Sequence, residues 1–408
     1  MINLNFSPRG FAAVAALATA GVGCSSEALA QQRLSADVSG GVAVATNPYL
    51  QSGPQTSAAS AFVEVAPQYV DQDEVSQLRL RGRFRVQPFF QRYATDAVAS
   101  LDLDYTEKRS DQLTVRGGAN VQTSRSSAQD ALLFGANGLT PVQPLPQFGD
   151  PTFLGTPARA TNFSVRAGGT YLLGPREMID LDLAASGSRF EAGALANFNY
   201  ASQNIRYSRG ISERTSLTFA LQAGQSDFLD TSAGDGFTLT PLIGVQTQLS
   251  STLTLSGSAG YSFARFSRTD GGKDNLGALA LQASICSQRD LSSFCLNADR
   301  SVQPTAIGSV RTLNGVSAAY NRRFNEKDRL QLNVTYSLSE EGADRVAVPD
   351  LAFLGASAEW SRQLRPRLAI FGSATYADIF QGDIQGGTAP RANVQGQVGV
   401  RLRLGSIE

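Results

Sequence analysis

Hydrophobic and polar residues alternate along almost the whole chain beyond about residue 33. "RLQLNVTYSL" sets Leu330, Leu332, Val334, Tyr336 and Leu338 against Gln331, Asn333, Thr335 and Ser337. "QLRLRGRFRV" sets Leu78, Leu80, Phe84 and Val86 against Arg79, Arg81, Arg83 and Arg85. Near the end, "VQGQVGVRLRL" sets Val398, Val400, Leu402 and Leu404 against Gln397, Gly399, Arg401 and Arg403. A period of two is the strand period, because successive side chains leave opposite faces of a sheet. The pattern predicts about 18 strands, from one near Arg33 to one near Asn393. The thirteenth, "FCLNADRSVQPT", is the least regular, and losing it with a neighbour gives about 16. Pro67, Pro88 and Pro241 fall within strands and are expected near strand ends, where a missing N–H costs least.

The connections alternate as well. Short polar turns such as "DQDE", "GPRE", "SERT" and "NEKD" take turns with longer stretches rich in Gly, Pro, Asp and Ser, such as "TNPYLQSGPQTS" and residues 124–159. Short turns at one end and long loops at the other describe an all-β, single, antiparallel up-and-down transmembrane β-barrel. A soluble sandwich also alternates, and three features favour lipid. The apolar positions include many Ala and Gly, which would leave voids in a packed core. The polar face carries arginine ladders that need water or counter-charge. Aromatics gather at strand ends: Tyr69, Tyr171, Tyr207, Tyr320 and Trp360 on the short-turn side, Phe263, Tyr336 and Tyr376 on the long-loop side. Such girdles mark the two membrane interfaces. The last strand must then close on the first, because no backbone group can stay unpaired in hydrocarbon.

Composition adds exclusions. The chain is 42% hydrophobic and only 17% charged, and 35 basic residues balance 35 acidic ones, so nothing points to nucleic acid. Histidine is absent. That removes His-dependent triads, including the activated serine of known barrel hydrolases and deacylases, and most zinc sites. A Ser–Lys pair is the remaining nucleophile, but the lysines fall in turns or loops. We expect no enzyme, no metal and no cofactor.

The first 30 residues read as an export signal: Arg9, an apolar run from Phe11 to about Gly23, and Ala28-Leu29-Ala30 ahead of the cleavage point. A lipoprotein signal acylated at Cys24 is the competing reading. Residues 31–408 form the barrel. Both ends fall on the short-turn side, which places the termini in the periplasm. Outer-membrane lipid and the barrel assembly machinery are the expected partners, although the chain ends in "RLRLGSIE" rather than in an aromatic residue.

Two constellations stand out. Cys286 and Cys295, nine positions apart, read as one structural disulfide stapling a short-turn hairpin; two free thiols are the alternative. Beside the ladder of Arg79, Arg81, Arg83 and Arg85, the next strand "AVASLDLDY" places Asp102 and Asp104 on its polar face. With Arg116, Arg166, Arg401 and Arg403, these are the candidate lumen charges. They either set a transverse field across a pore or simply pair and fill the interior.

The opening "SGGVAVATNPYL", the cysteine-bounded "CSQRDLSSFC" and the repeated hairpins resemble the outer-membrane β-barrel families of proteobacteria, especially the porin 2-like barrels often encoded beside exopolysaccharide genes. The resemblance spans nearly the whole exported chain. It implies an outer-membrane location and a link to surface polysaccharide or its export proteins. The functional expectation is a porin-like channel for polysaccharide or other polar solutes. The alternative is a structural or adhesive barrel without an open pore, its lumen narrowed by the loop from Ser124 to Arg159.

Overall fold

The alternating segments form strands because every one of them finds two neighbours. A computed structural model describes residues 31–50, 56–125, 159–191, 195–229, 233–268, 272–305, 309–340, 350–381 and 392–405. The export signal and most of the loop from Ser124 to Arg159 lie outside the described residues. The described residues form an 18-stranded antiparallel sheet. The strands are β1 (Gln31–Ala45), β2 (Ala58–Gln72), β3 (Ser76–Gln87), β4 (Asp96–Lys108), β5 (Leu113–Arg125), β6 (Arg159–Gly174), β7 (Glu177–Phe190), β8 (Phe198–Gly210) and β9 (Thr215–Phe228). They continue as β10 (Ala233–Ser250), β11 (Leu253–Arg268), β12 (Lys273–Arg289), β13 (Ser292–Thr305), β14 (Ser309–Arg323), β15 (Asp328–Glu340), β16 (Leu351–Arg365), β17 (Leu368–Gln381) and β18 (Asn393–Gly405). Each pairs with its sequence neighbours, and β1 pairs with β18 from Ser35 against Gly405 to Ala45 against Gln395. The sheet is therefore a closed up-and-down barrel. Both described ends, Gln31 and Gly405, lie at the short-turn end. At a strand spacing of ~4.8 Å and a tilt of ~40°, the cylinder is on the order of 35 Å across its backbone.

The two faces separate cleanly. Val42, Val63, Phe84, Val121, Val165, Leu183, Ile243, Leu279, Val334 and Val398 point outward and are exposed. A water-soluble protein does not carry an apolar belt of this extent. On β11 the outward run from Leu253 to Phe263 rises roughly 25 Å along the barrel axis, the height of the apolar band of such barrels. At the short-turn rim, Tyr69 donates its hydroxyl to Asp71 (3.3 Å) and Tyr105 to Glu107 (2.6 Å). At the long-loop rim Tyr376 does the same to Asp378 (3.0 Å). Each tyrosine ring stays on the apolar side while its hydroxyl meets a carboxylate one step nearer the strand end, as an interfacial aromatic should. Tyr105 belongs to this girdle although it was not among the expected members.

The closure seam explains the glycines of the first strand. A Cβ at Gly41 would stand 2.1 Å from the Val398 carbonyl oxygen and 3.0 Å from the Phe62 ring. Inside the barrel, Phe62 and Phe371 cover this flat patch from both sides, their centroids 6.2 Å apart. The guanidinium of Arg85 lies 4.5 Å from the Phe62 centroid and that of Arg401 5.0 Å from the Phe371 centroid.

Two prolines depart from expectation. Pro88 follows the end of β3, but Pro67 and Pro241 sit in mid-strand. Each keeps one ladder: Pro67 pairs with Ala36, and Pro241 with Leu221. On the other side the ladder skips them, between Val65 and Gln68 of β2 and between Leu239 and Leu242 of β10. The missing N–H is thus confined to one side, and a glycine stands close by. Gly82 faces the Pro67 ring, and a Cβ at Gly260 would lie 1.9 Å from the Pro241 carbonyl oxygen. The turns are tied locally. The Asp73 carboxylate accepts the Val75 N–H (2.8 Å), the Ser76 N–H and the Ser76 hydroxyl, which holds its pKa below the usual carboxylate range. That contribution is present at neutral pH and disappears as acid protonates Asp73.

The two faces should respond differently to charge. Val334→Arg, on the outward face near the middle of the band, is expected to cost about 2–4 kcal/mol of stability in urea unfolding from lipid vesicles. Asn333→Arg, its inward neighbour, should cost less than about 1 kcal/mol. Equal losses would contradict the assignment of faces.

Candidate functional site

The inward face carries a concentrated group of charges among the described residues. Strand alternation puts Arg79, Arg81, Arg83 and Arg85 of β3 on it, and the register places Asp102 opposite Arg81 and Asp104 opposite Arg79 on β4. The guanidinium of Arg81 bridges Asp102 and Asp104, with both contacts at 2.8 Å. Arg166 of β6 reaches over Gly118 to the other oxygen of Asp104. Gly118 is what permits this crossing, because a Cβ there would stand 2.6 Å from the Arg166 Nε. Arg116 of β5 pairs with Asp182 (2.8 Å) and lies 3.6 Å from Asp180, both on β7. Arg83 pairs with Glu64 (2.8 Å), Arg401 with Glu359 (3.2 Å), and Arg403 with Asp37 through two bonds (3.0 and 3.3 Å). Arg85, buried, donates to the Gln397 amide oxygen (3.3 Å) and stacks on Phe62. Among the described residues Arg79 has no carboxylate within ion-pair distance, and its Nε is buried without a hydrogen bond.

The candidate charges thus form an arc from β16 through the seam to β7. Sequence reading named its cations and only two of its anions. Asp180 and Asp182 were missed, although "IDLDL" repeats the pattern of "LDLDY". Asp37, Glu64 and Glu359 were missed because each is the lone carboxylate on the inward face of its strand. The planar, multi-donor head of arginine suits this work, since one group can hold two carboxylates on a single strand. Half-exposed pairs of this kind contribute little stability each, about 1 kcal/mol or less.

The opposite arc is different in kind. From β9 to β15, above the turns, the inward positions hold Ser, Thr, Gln, Asn, Ala and Gly, including Thr218, Gln222, Gln246, Ser258, Asn333 and Thr335. Thr240 and Ser262 share a hydroxyl contact at 2.8 Å, and Ser284 donates to Asn297 at 2.8 Å. Asp299 of this arc has no ion-pair partner among the described residues, and Arg311 of β14, near the long-loop end, is fully buried. Cys286 and Cys295 are cross-strand partners on β12 and β13, bonded to each other with Cα atoms 4.1 Å apart. The disulfide faces inward, near the short-turn end, beside Ser284.

The long-loop end of the lumen is narrowed by two inward elements. One is the loop after β1. Asn47 donates its N–H to the Asn393 side chain (3.0 Å), and Leu50 takes a left-handed conformation (φ 52°) that turns it inward. Leu50 then packs on Phe353, Ala377 and Ile379, while Tyr49 packs on Phe89 and Tyr93. The other is the top of the β13–β14 hairpin. The β12–β13 ladder stops at Leu281 against Arg300, whereas β13 and β14 stay paired up to Thr305 against Ser309. Above Arg300 the hairpin bends into the barrel. Val302 and Val310 are buried with Phe198, Phe228, Ala264 and Ala278 of the inner wall. The same bend brings Val310 against Gly236 of β10, four strands away.

No protein-family model matches the chain, and no curated protein matches it. Solved barrels are similar in outline. The Pseudomonas aeruginosa OccK2 (OpdF) structure is similar at a TM-score of 0.47 and 9% identity, covering 93% of this chain and 99% of that one. A BenF-like porin from Pseudomonas fluorescens Pf-5 is similar at 0.47 and 9%, covering 92% and 99%. The FrpB iron transporter from Neisseria meningitidis (F5-1 variant) is similar at 0.47 and 8%, covering 88% of this chain. The chain spans 64% of that transporter's length.

The disulfide closes a short loop on a hairpin that is already in register. Replacing Cys286 and Cys295 by serine should lower stability by about 2–3 kcal/mol, read as a shift in the urea midpoint. Conductance should not change; a change would assign the pair a role beyond bracing.

Proposed function

We propose that this chain is a porin-like channel of a Gram-negative outer membrane, inserted by the barrel assembly machinery with both termini in the periplasm, which passes polar solutes through its lumen. The observation that carries this reading is the division of the inward wall into two arcs. One arc holds fixed arginine–carboxylate pairs, and the other offers hydroxyl and amide groups. A solute between them meets a transverse field on one side and neutral hydrogen-bond partners on the other. Because most charges are already paired, the wall offers an oriented field with little net charge. That suits polyhydroxylated solutes better than simple ions, and a polysaccharide chain is the proposed cargo. Export or passage of polysaccharide fits the neutral arc, whose side chains can exchange hydrogen bonds with sugar hydroxyls. The proposed role is passage of solute rather than catalysis, in keeping with the absence of histidine from the sequence.

The test is ion selectivity in planar bilayers. Replacing Arg81 and Arg83 by serine leaves Glu64 and Asp102 unpaired and Asp104 with Arg166 alone. The permeability ratio should shift several-fold toward cations, whereas Ser258→Ala in the neutral arc should leave it unchanged. An unaltered ratio in the arginine variant would overturn the pore role of the charged arc. A deletion strain with normal secreted and capsular polysaccharide, beside a clear conductance step, would remove polysaccharide as the cargo and leave a general porin.

A further inference from the structure

We infer that the outer wall between β14 and β1 holds one anionic glycerophospholipid, with an acyl chain in a groove over β16 to β18 and its phosphate on Arg322 and Arg362 at the short-turn rim. The inference does not depend on the channel reading.

Three observations lead to it. First, the register lines up one row of outward residues across six strands. Arg322 of β14 pairs with Leu330, Leu330 with Trp360, Trp360 with Gly372, Gly372 with Val398, and Val398 with Val42 of β1. Arg322 stands next to the short-turn end of its strand, whereas Val42 stands three residues from the long-loop end of its own. The row therefore climbs. Five strand spacings of ~4.8 Å at a tilt of ~40° rise on the order of 15 Å, the depth of one leaflet. Second, the row is hollow in its middle. A groove of about 540 Å³ runs along it, with Leu330 and Trp360 at one end and Val42 and Val44 at the other. Ala358, Gly372, Ala374 and Gly396 form its floor. The chain's own packing does not demand these glycines. A Cβ at Gly372 would come no nearer than 3.9 Å to any neighbour, and one at Gly396 would meet nothing within 4 Å. At the closure seam, by contrast, a Cβ at Gly41 or Gly399 would collide with backbone. The groove is narrow and concave, which suits a flexible hydrocarbon chain and not the convex wall of a second barrel. Third, its lower end is basic. Arg322 and Arg362 share the outward face with Leu330 and Trp360. Among the described residues, the one carboxylate within ion-pair distance of either is Asp328, 3.9 Å from Arg362, while Arg322 lies 5.1 Å from the Phe324 centroid. The two turns below the groove, residues 322–329 and 362–367, carry seven basic residues against Glu326 and Asp328. The β2–β3 turn carries Asp71, Asp73 and Glu74 and no basic residue, so the excess belongs to this sector and not to the rim as a whole.

The chemistry of the two ends selects the ligand. A guanidinium offers two parallel N–H donors to a phosphodiester. A zwitterionic lipid brings its own cation beside the phosphate and gains less from a basic rim than a lipid of net negative charge. Trp360 bounds the groove where chain gives way to headgroup, the level at which an indole ring sits in an interfacial belt.

Trp360 is the only tryptophan of the chain, so its fluorescence reads the groove directly. The full-length barrel in phosphatidylcholine vesicles is titrated with phosphatidylglycerol whose acyl chains carry bromine, a contact quencher. At equal mole fraction, brominated phosphatidylglycerol should quench Trp360 several-fold more than brominated phosphatidylcholine. Arg322→Gln with Arg362→Gln should abolish that preference. Gly372→Leu with Gly396→Leu, which fills the floor, should reduce it several-fold. Gly257→Leu, at an outward glycine of β11 with comparable open space, should leave it unchanged. Equal quenching by the two lipids in the unaltered barrel overturns the site, and that comparison needs no variant to fold. A preference that survives the arginine changes overturns the headgroup contact. Quenching by both lipids that falls as the protein-to-lipid ratio rises gives the groove to a second copy of the chain and likewise overturns the lipid.

Discussion

A strand in hydrocarbon cannot leave its backbone groups unpaired, and everything else in this molecule is arranged around that constraint. It forces β1 onto β18. It makes the flat Gly41–Gly399 contact necessary at the seam, because two backbones must approach there without side chains between them. It also decides where proline is tolerated. Pro67 and Pro241 survive in mid-strand because each interrupts a single ladder and has a glycine nearby. The β12–β13 ladder stops at Leu281 against Arg300, toward the long-loop end.

Closure creates the lumen, and the lumen then sets the rule for its own charges. An arginine on the inward face borders a low-dielectric wall and needs water or a partner. Here the partners are spaced by the strand period. Asp102 and Asp104, and again Asp180 and Asp182, stand two apart, so both carboxylates of each pair face inward and one guanidinium can span them. These pairs are wetted and individually weak. Their consequence is positional: they hold the charged heads flat against one side of the wall.

The strand count was legible because alternation is a direct record of two different solvents, lipid and lumen water, and all 18 strands lie where the period of two put them. The arginine ladder was legible for the same reason. Its partners were less so, since a lone Glu64 or Glu359 in one strand carries no mark of the arginine that register brings opposite. The inward bend of β13 and β14 left no signal in the alternation itself. Val302 and Val310 alternate with Ser301 and Arg311 whether the apolar side meets lipid or Phe198, so the pattern is the same for both positions. The irregularity of "FCLNADRSVQPT" and its Pro304 was the only local hint.

The placement of that hairpin bears on how the two halves of the lumen can work separately. Its apolar tip rests on the inner wall of β8 to β12, which is almost entirely the uncharged arc. The Arg81, Arg116 and Arg166 clusters lie on β3 to β7 and share no contact with it. The base of the hairpin is held by Arg300 of β13, which pairs with Glu340 of β15. Arg311, fully buried, donates to the Glu340 and Ser339 carbonyls and so ties the tip to β15 as well. The hairpin is therefore braced against β15 at its base and along its inward stretch, and it narrows the lumen from the uncharged side. The constriction by the hairpin and the arc of paired charges thus stand on different walls of the lumen, because the apolar tip needs an inner wall free of the guanidinium–carboxylate clusters to pack on.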